Sequence, residues 1–290
     1  MVLFAISMVA THIAVGGVVG IVVVVVLLAS GRVGGPGELM ALLEQDRPVL
    51  ILQMISAPPL FLASLGVCLL FRRGLDRRSI TSMGLGRPRR GWFFAIGVGF
   101  LVGAAPLAAC VLALLALGGL EVQGVGASVV TALLVPVLLM MAFTEEIVAR
   151  GYILRNFVDD GRPLLGLGVS SLIFWLMHLS NDQLWSSPWP SINLLGAGLV
   201  LGLAYLAADN LWFPTALHLG WNLAQGVLFE CPISGIVTDG IITVHDTGRL
   251  PAWLVGGGFG LEGSALVTVA EILMAACLLL WWRCQQPTPG

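Results

Sequence analysis

The sequence predicts an all-α, polytopic membrane helix bundle of about eight transmembrane helices, and three observations carry that prediction. Of 290 residues, 58% are hydrophobic and only 10% charged, against about 25% charged in an ordinary soluble domain. The mean hydropathy is +0.97. The apolar residues are gathered into stretches close to the roughly 20 residues that a helix needs to cross a bilayer. Residues 1–290 are therefore read as a single membrane domain. The formal net charge of −2 says little about partners, because in such a chain charge is distributed by side of the membrane. No nucleic-acid partner is expected.

The elements follow in order. The first span, 3–29, is longer than a signal-peptide core and has no basic segment before it, so it is expected to stay in the mature protein. His12 within it is read as a satisfied packing histidine. Residues 30–47 are Gly-rich and mildly acidic (Glu38, Glu44, Asp46), with a short amphipathic helix expected at 37–45. The second span, 48–71, contains Pro58-Pro59, read as a kink or break. Arg72, Arg73, Arg77, Arg78, Arg87, Arg89 and Arg90 then place seven arginines in one loop. The positive-inside rule makes that loop cytoplasmic; an acidic-lipid or nucleic-acid patch is the sharper alternative.

Further spans are expected at 92–118, from 127 to about 157, 163–180, 191–208, 211–230 and 265–282. Both termini then come out cytoplasmic. Eleven of the 14 arginines fall inside, and only Arg32, Arg47 and Arg249 outside. The loop 256–264, GGGFGLEGS, is read as turn structure, with a substrate lid as the alternative. Cys68, Cys110, Cys231, Cys277 and Cys284 lack metal-site spacing and are read as structural thiols.

Three polar clusters interrupt the apolar helices. Thr144-Glu145-Glu146-Ile147-Val148-Ala149-Arg150 ends the fourth span; ionisable groups are expensive there and commonly mark function. Glu146 and Arg150, four apart on one face, can pair, which leaves Glu145 about 100° round the helix, free to face a cavity. Phe174 and His178 are spaced i, i+4 on the fifth span, and His218 and Asn222 on the seventh. Counted from the cytoplasmic helix ends, the three clusters lie at depths that tilt can reconcile, so they are expected to share a water-containing chamber opening to the cytoplasm.

With EExxxR, FxxxH and HxxxN present in that order, the chain resembles the CPBP intramembrane proteases, which include the CAAX prenyl endopeptidases and bacteriocin-processing enzymes. The resemblance covers about 90–282, taken as the protease core. It implies an intramembrane endopeptidase acting on a membrane-anchored or lipid-modified protein within the lipid bilayer. A prenylated C-terminal motif, a leader peptide and a C-terminal sorting tail all remain open as substrates.

The chemistry of the residues points the same way. Glu145 is the candidate general base, desolvation tuning a carboxylate toward neutral pH. His178 can hold and help activate the same water. His218 and Asn222 can stabilise the oxyanion, and Glu146 with Arg150 would fix the fourth helix, with Phe174 as packing. Zinc is the alternative, with Glu145, His178 and His218 as ligands and water in the fourth position. No HExxH is present, and a metal-free glutamate mechanism is preferred. Glu271 in the last span is a leftover carboxylate expected to pair with another helix, with a place on the substrate path as the alternative. The competing functions are a proton-coupled transporter and a catalytically silent scaffold.

Overall fold

Each expected apolar stretch is helical, and the computed structural model, which describes residues 2–43, 46–179 and 181–286, is an all-α polytopic membrane bundle. In chain order the helices are α1 (Val2–Ala29), α2 (Pro36–Leu43), α3 (Asp46–Leu70), α4 (Gly99–Ala116), α5 (Val129–Glu146), α6 (Arg155–Asp159), α7 (Pro163–Leu176), α8 (Pro188–Ala208), α9 (Trp212–Asn222), α10 (Ala252–Val255) and α11 (Ala265–Arg283). Four π-helical segments extend them: Phe71–Leu75 after α3, Phe93–Val98 before α4, Ile147–Leu154 between α5 and α6, and Leu223–Leu228 after α9. Among the described residues, six helical stretches are long and apolar enough to span a bilayer. The other two crossing segments, α7 and α9 with its π extension, are shorter.

Helix starts follow local chemistry. Ser128 caps α5, its Oγ accepting from Val130 N at 2.9 Å and Thr131 N at 3.3 Å, while Thr131 Oγ1 accepts from Ser128 N at 3.0 Å. Pro188 sits in the first turn of α8, where its missing N–H costs nothing. Of the kink or break expected at Pro58-Pro59, the break does not occur, since α3 runs through both. Only the carbonyls of Met54 and Ile55 lose a donor, which a membrane helix tolerates. The expected short helix after the first span is α2; Glu44 lies outside the described residues.

Glycines set the helix–helix register. A Cβ on Gly103 would lie 1.9 Å from Leu217 O, and one on Gly220 would lie 2.2 Å from Phe100 O. Both force α4 and α9 into backbone contact, the small-residue packing that membrane helices favour. Gly198 does the same for α8 against Ser171 of α7. At the end away from the arginine-rich loop, β1 (Leu120–Val125) and β2 (Ile242–Asp246) form an antiparallel ribbon that the sequence did not announce. The glycine loop is turn structure: Gly257–Phe259 and Leu261–Gly263 are short 3-10 turns, with Phe259 buried. Gly260 needs its φ of 86° there, because a Cβ would meet Pro232 O at 2.0 Å.

The arginine-rich end is tied by ion pairs. Arg72, fully buried, donates to Asn156 Oδ1 at 2.8 Å, Asp159 Oδ2 at 2.6 Å and Ser82 Oγ at 2.8 Å. Asp159 also pairs with Arg78 and with Arg155, the latter at 2.8 Å. Arg89 meets Asp209 at 3.0 Å, and Arg90 lies over the rings of Phe94 and Trp281.

Candidate active site

The core of the site is a fully buried ion pair at the point where α5 becomes π-helical. Arg150 Nη1 donates to Glu146 Oε1 at 2.7 Å, and both side chains are 0% exposed. Arg150 Nη2 donates to Gly198 O of α8 at 2.9 Å. The same Glu146 oxygen accepts from His218 Nδ1 of α9 at 3.0 Å. The ion pair thus joins three helices, α5, α8 and α9, a link that spacing within a single helix cannot reveal.

That bond also fixes the histidine. A carboxylate accepts only, so Nδ1 of His218 carries a proton and Nε2 is left facing Glu145 Oε2 at 3.8 Å. His178 is held alike, with Nδ1 2.9 Å from Phe174 O, so in the neutral ring its Nε2 is an acceptor. It lies beyond the end of α7 at Leu176, in a turn rather than on the expected helix. The tight i→i+3 bond from His178 N to Trp175 O, at 3.0 Å, closes that turn. Phe174 is more than packing: its ring lies 5.2 Å from that of His178, 5.9 Å from that of His218, and 4.6 Å from the Arg150 guanidinium carbon.

Glu145, Phe174, His178, His218 and Asn222 all line one cavity of about 650 Å³. Glu146 and Arg150 stand behind it. The chamber expected from the sequence extends toward the other end, however. Its wall runs from mid-helix positions such as Leu60, Glu145, Leu201 and His218 out to Asn181, Asp182 and Ser234 of the loops remote from the arginine-rich loop. The reason is the π-helical stretch: every residue of Ile147–Leu154 is buried, which fills the arginine-rich side beneath Glu145.

One further expectation changes. Among the described residues Glu271 forms no interhelical pair; it lines the cavity, and its Oε2 has no hydrogen-bond partner. Glu145, His178 and His218 do not make a metal-ligand set, since among the described residues no three of His, Cys, Asp and Glu gather closely enough to hold an ion. His12 is satisfied as expected, by Met8 O at 2.9 Å and Ser64 Oγ at 3.4 Å, although it also lines the cavity. Glu262 is a wall residue that no motif flagged. It accepts from Trp221 Nε1 at 3.2 Å, Ser234 N at 2.7 Å and Ser234 Oγ at 2.8 Å. Its only signal was a carboxylate in a glycine loop.

In comparison with protein families, residues 127–224 fit the model of the Rce1-like family, described as Type II CAAX prenyl endopeptidase Rce1-like. The matched stretch holds all three motifs and bears out the resemblance drawn from them. No curated protein and no solved structure matches the chain.

Proposed function

We propose that the chain is a CAAX-type intramembrane endopeptidase that hydrolyses a peptide bond of a membrane-associated protein by a metal-free, glutamate-activated water. The observation that carries the reading is Glu145. This carboxylate has one-fifth of its side chain exposed and, among the described residues, pairs with no guanidinium. It faces an imidazole in a cavity shared with a second imidazole and a carboxamide. A structural glutamate in this bundle has the surroundings of Glu146, not those of Glu145.

The donor and acceptor pattern supports the following steps. Glu145 takes one proton of the attacking water, and the acceptor Nε2 of His178 takes the hydrogen bond of the other. As the water oxygen bonds to the carbonyl carbon, charge develops on the carbonyl oxygen, and Asn222 Nδ2 can donate to it. His218 Nε2 can donate only as imidazolium, which would lie between the two carboxylates Glu145 and Glu146. Protonated Glu145 then delivers its proton to the leaving nitrogen as the C–N bond breaks. Phe174 orients both rings, and Glu146 with Arg150 holds His218 by its far nitrogen.

Single-domain organisation over 1–290, with 90–282 as the protease core and both termini on the arginine-rich, cytoplasmic side, belongs to the same reading. The cavity then faces the opposite side of the membrane, which favours a leader peptide or sorting tail exposed there over a prenylated cytoplasmic tail. The test is purified protein in liposomes with a panel of membrane-anchored peptides of the three classes, cleavage being read by intact mass. Glu145→Gln should abolish cleavage while unfolding at the wild-type temperature. Normal processing by that variant would remove Glu145 from the mechanism, and cleavage of prenylated tails alone would reverse the assignment of side.

A further inference from the structure

We propose that Glu271, beside Glu262, forms a subsite that accepts a basic side chain of the substrate segment, an inference that rests on the protease reading and adds the chemistry of what enters the cavity. Glu271 stands on α11, in the outer half of the same cavity, and only 7% of it is exposed. Among the described residues its Oε2 has no donor. Burying such a group without a partner is costly in a membrane protein, and a retained intramembrane carboxylate marks a path for a cation or a proton.

The surroundings favour an incoming cation. Among the described residues the cavity wall contains Glu145, Asp182, Glu262 and Glu271 and no arginine. The buried guanidinium of Arg150 is committed to Glu146 and Gly198 O. Glu262 already accepts three hydrogen bonds from Trp221 and Ser234, whereas Glu271 accepts none among the described residues and has the greater spare capacity. The fold also keeps room for it: a Cβ on Gly196 of α8 would lie 2.2 Å from Glu271 Oε2. A glycine there gives the carboxylate its place, and any larger residue would push it aside.

Position follows from helix rise. Glu145 is sixteen residues past the start of α5 and Glu271 six past the start of α11. At about 1.5 Å per residue, Glu145 lies roughly 15 Å deeper, which is roughly four to five residues of extended peptide at about 3.3 Å each. A lysine or arginine at that distance from the scissile bond would bring its charged end to Glu271.

The experiment moves a single lysine, one position at a time on both sides of the cut, through a membrane-anchored peptide, with norleucine at each position as the uncharged control. The full chain in liposomes should prefer lysine to norleucine by about tenfold in kcat/KM, which is about 1.4 kcal/mol, at a position four or five residues away. In Glu271→Gln the ratio should fall to near one, and Gly196→Ala should lower it by displacing the carboxylate. A second measurement does not need cleavage: the Glu145→Gln protein should bind the lysine peptide about tenfold more tightly than the norleucine peptide, and should lose that difference when Glu271→Gln is added. Equal binding of the two peptides with Glu271 intact overturns the subsite. Preserved binding preference with no cleavage by the wild type overturns the protease reading instead.

Discussion

At the arginine-rich end Asp159 is surrounded by the guanidiniums of Arg72, Arg78 and Arg155. In the cavity, among the described residues, Glu145 has only an imidazole nitrogen at 3.8 Å, and Glu271 has an oxygen with no donor at all. Both ends bury carboxylates in the same apolar bundle. At one end the charges are cancelled by neighbours that also pin the loop after α3 to α6, so the network holds the fold. At the other, among the described residues, the bundle offers its carboxylates no guanidinium partner, which leaves them open to a proton or to a group that enters the cavity. Between them, Glu146 is neutralised by Arg150 and yet reaches into the site through His218, and it belongs to both regimes.

Substitutions can break this contrast, and the largest expected effect is at Glu145. Glu145→Gln should lower cleavage by roughly 10³- to 10⁴-fold, the upper range for loss of a general base, with no fall in the unfolding temperature in detergent. A stability loss comparable to that of an ion-pair variant would show that Glu145 is structural and erase the distinction.

Next comes Arg150→Met, which strands Glu146 without a counter-charge. Breaking a buried pair by removing one partner costs about 3–5 kcal/mol, read as a lower unfolding midpoint. The double variant Glu146→Gln with Arg150→Met should recover much of that stability but not the activity, because a neutral carboxamide no longer holds His218 as a carboxylate does. Full recovery of cleavage would place Glu146 with the structural network alone.

Much of this was legible in the chain. Eight apolar stretches and three intramembrane polar clusters are local signals, and they located the helices, the Glu146–Arg150 pair and the residues that line the cavity. What spacing could not supply is register between helices. The bond from His218 to Glu146 depends on how far α9 slides along its neighbours, and that is set by Gly103 and Gly220 meeting opposing carbonyls. The end toward which the cavity extends depends on which half of the bundle is filled. Here the buried Ile147–Leu154 segment fills the arginine-rich half, although its residues read as ordinary helix. His178 was placed on a helix because i, i+4 spacing survives in the turn that follows α7, where the ring caps the Phe174 carbonyl instead.

A smaller effect sharpens the other side of the contrast. Asp159→Asn removes the charge that three guanidiniums share, and hydrogen bonds to charged groups contribute about 1.5–3 kcal/mol. A loss of about 2 kcal/mol in unfolding free energy is expected, partly masked by the remaining contacts of Arg72 to Asn156 and Ser82. Cleavage per folded molecule should stay at the wild-type rate. A selective drop in kcat would mean that the arginine-rich end reaches the chemistry, and the two regions would no longer be separable.

The smallest effect tests the residue through which the regions touch. The Phe174 ring lies against the Arg150 guanidinium and against the imidazoles of His178 and His218. Phe174→Leu keeps an apolar side chain but removes the ring face. A desolvated cation–π contact contributes about 1–2 kcal/mol, and some of it returns as Leu packing, so a stability loss of about 1 kcal/mol is expected. The kinetic effect should be distinct. With the ring gone both imidazoles gain freedom, so kcat should fall several-fold while KM stays near its wild-type value, the signature of a group that orients the reacting residues without touching substrate. If instead KM rises and kcat holds, Phe174 contacts the substrate directly, and the cavity wall extends to the guanidinium behind it.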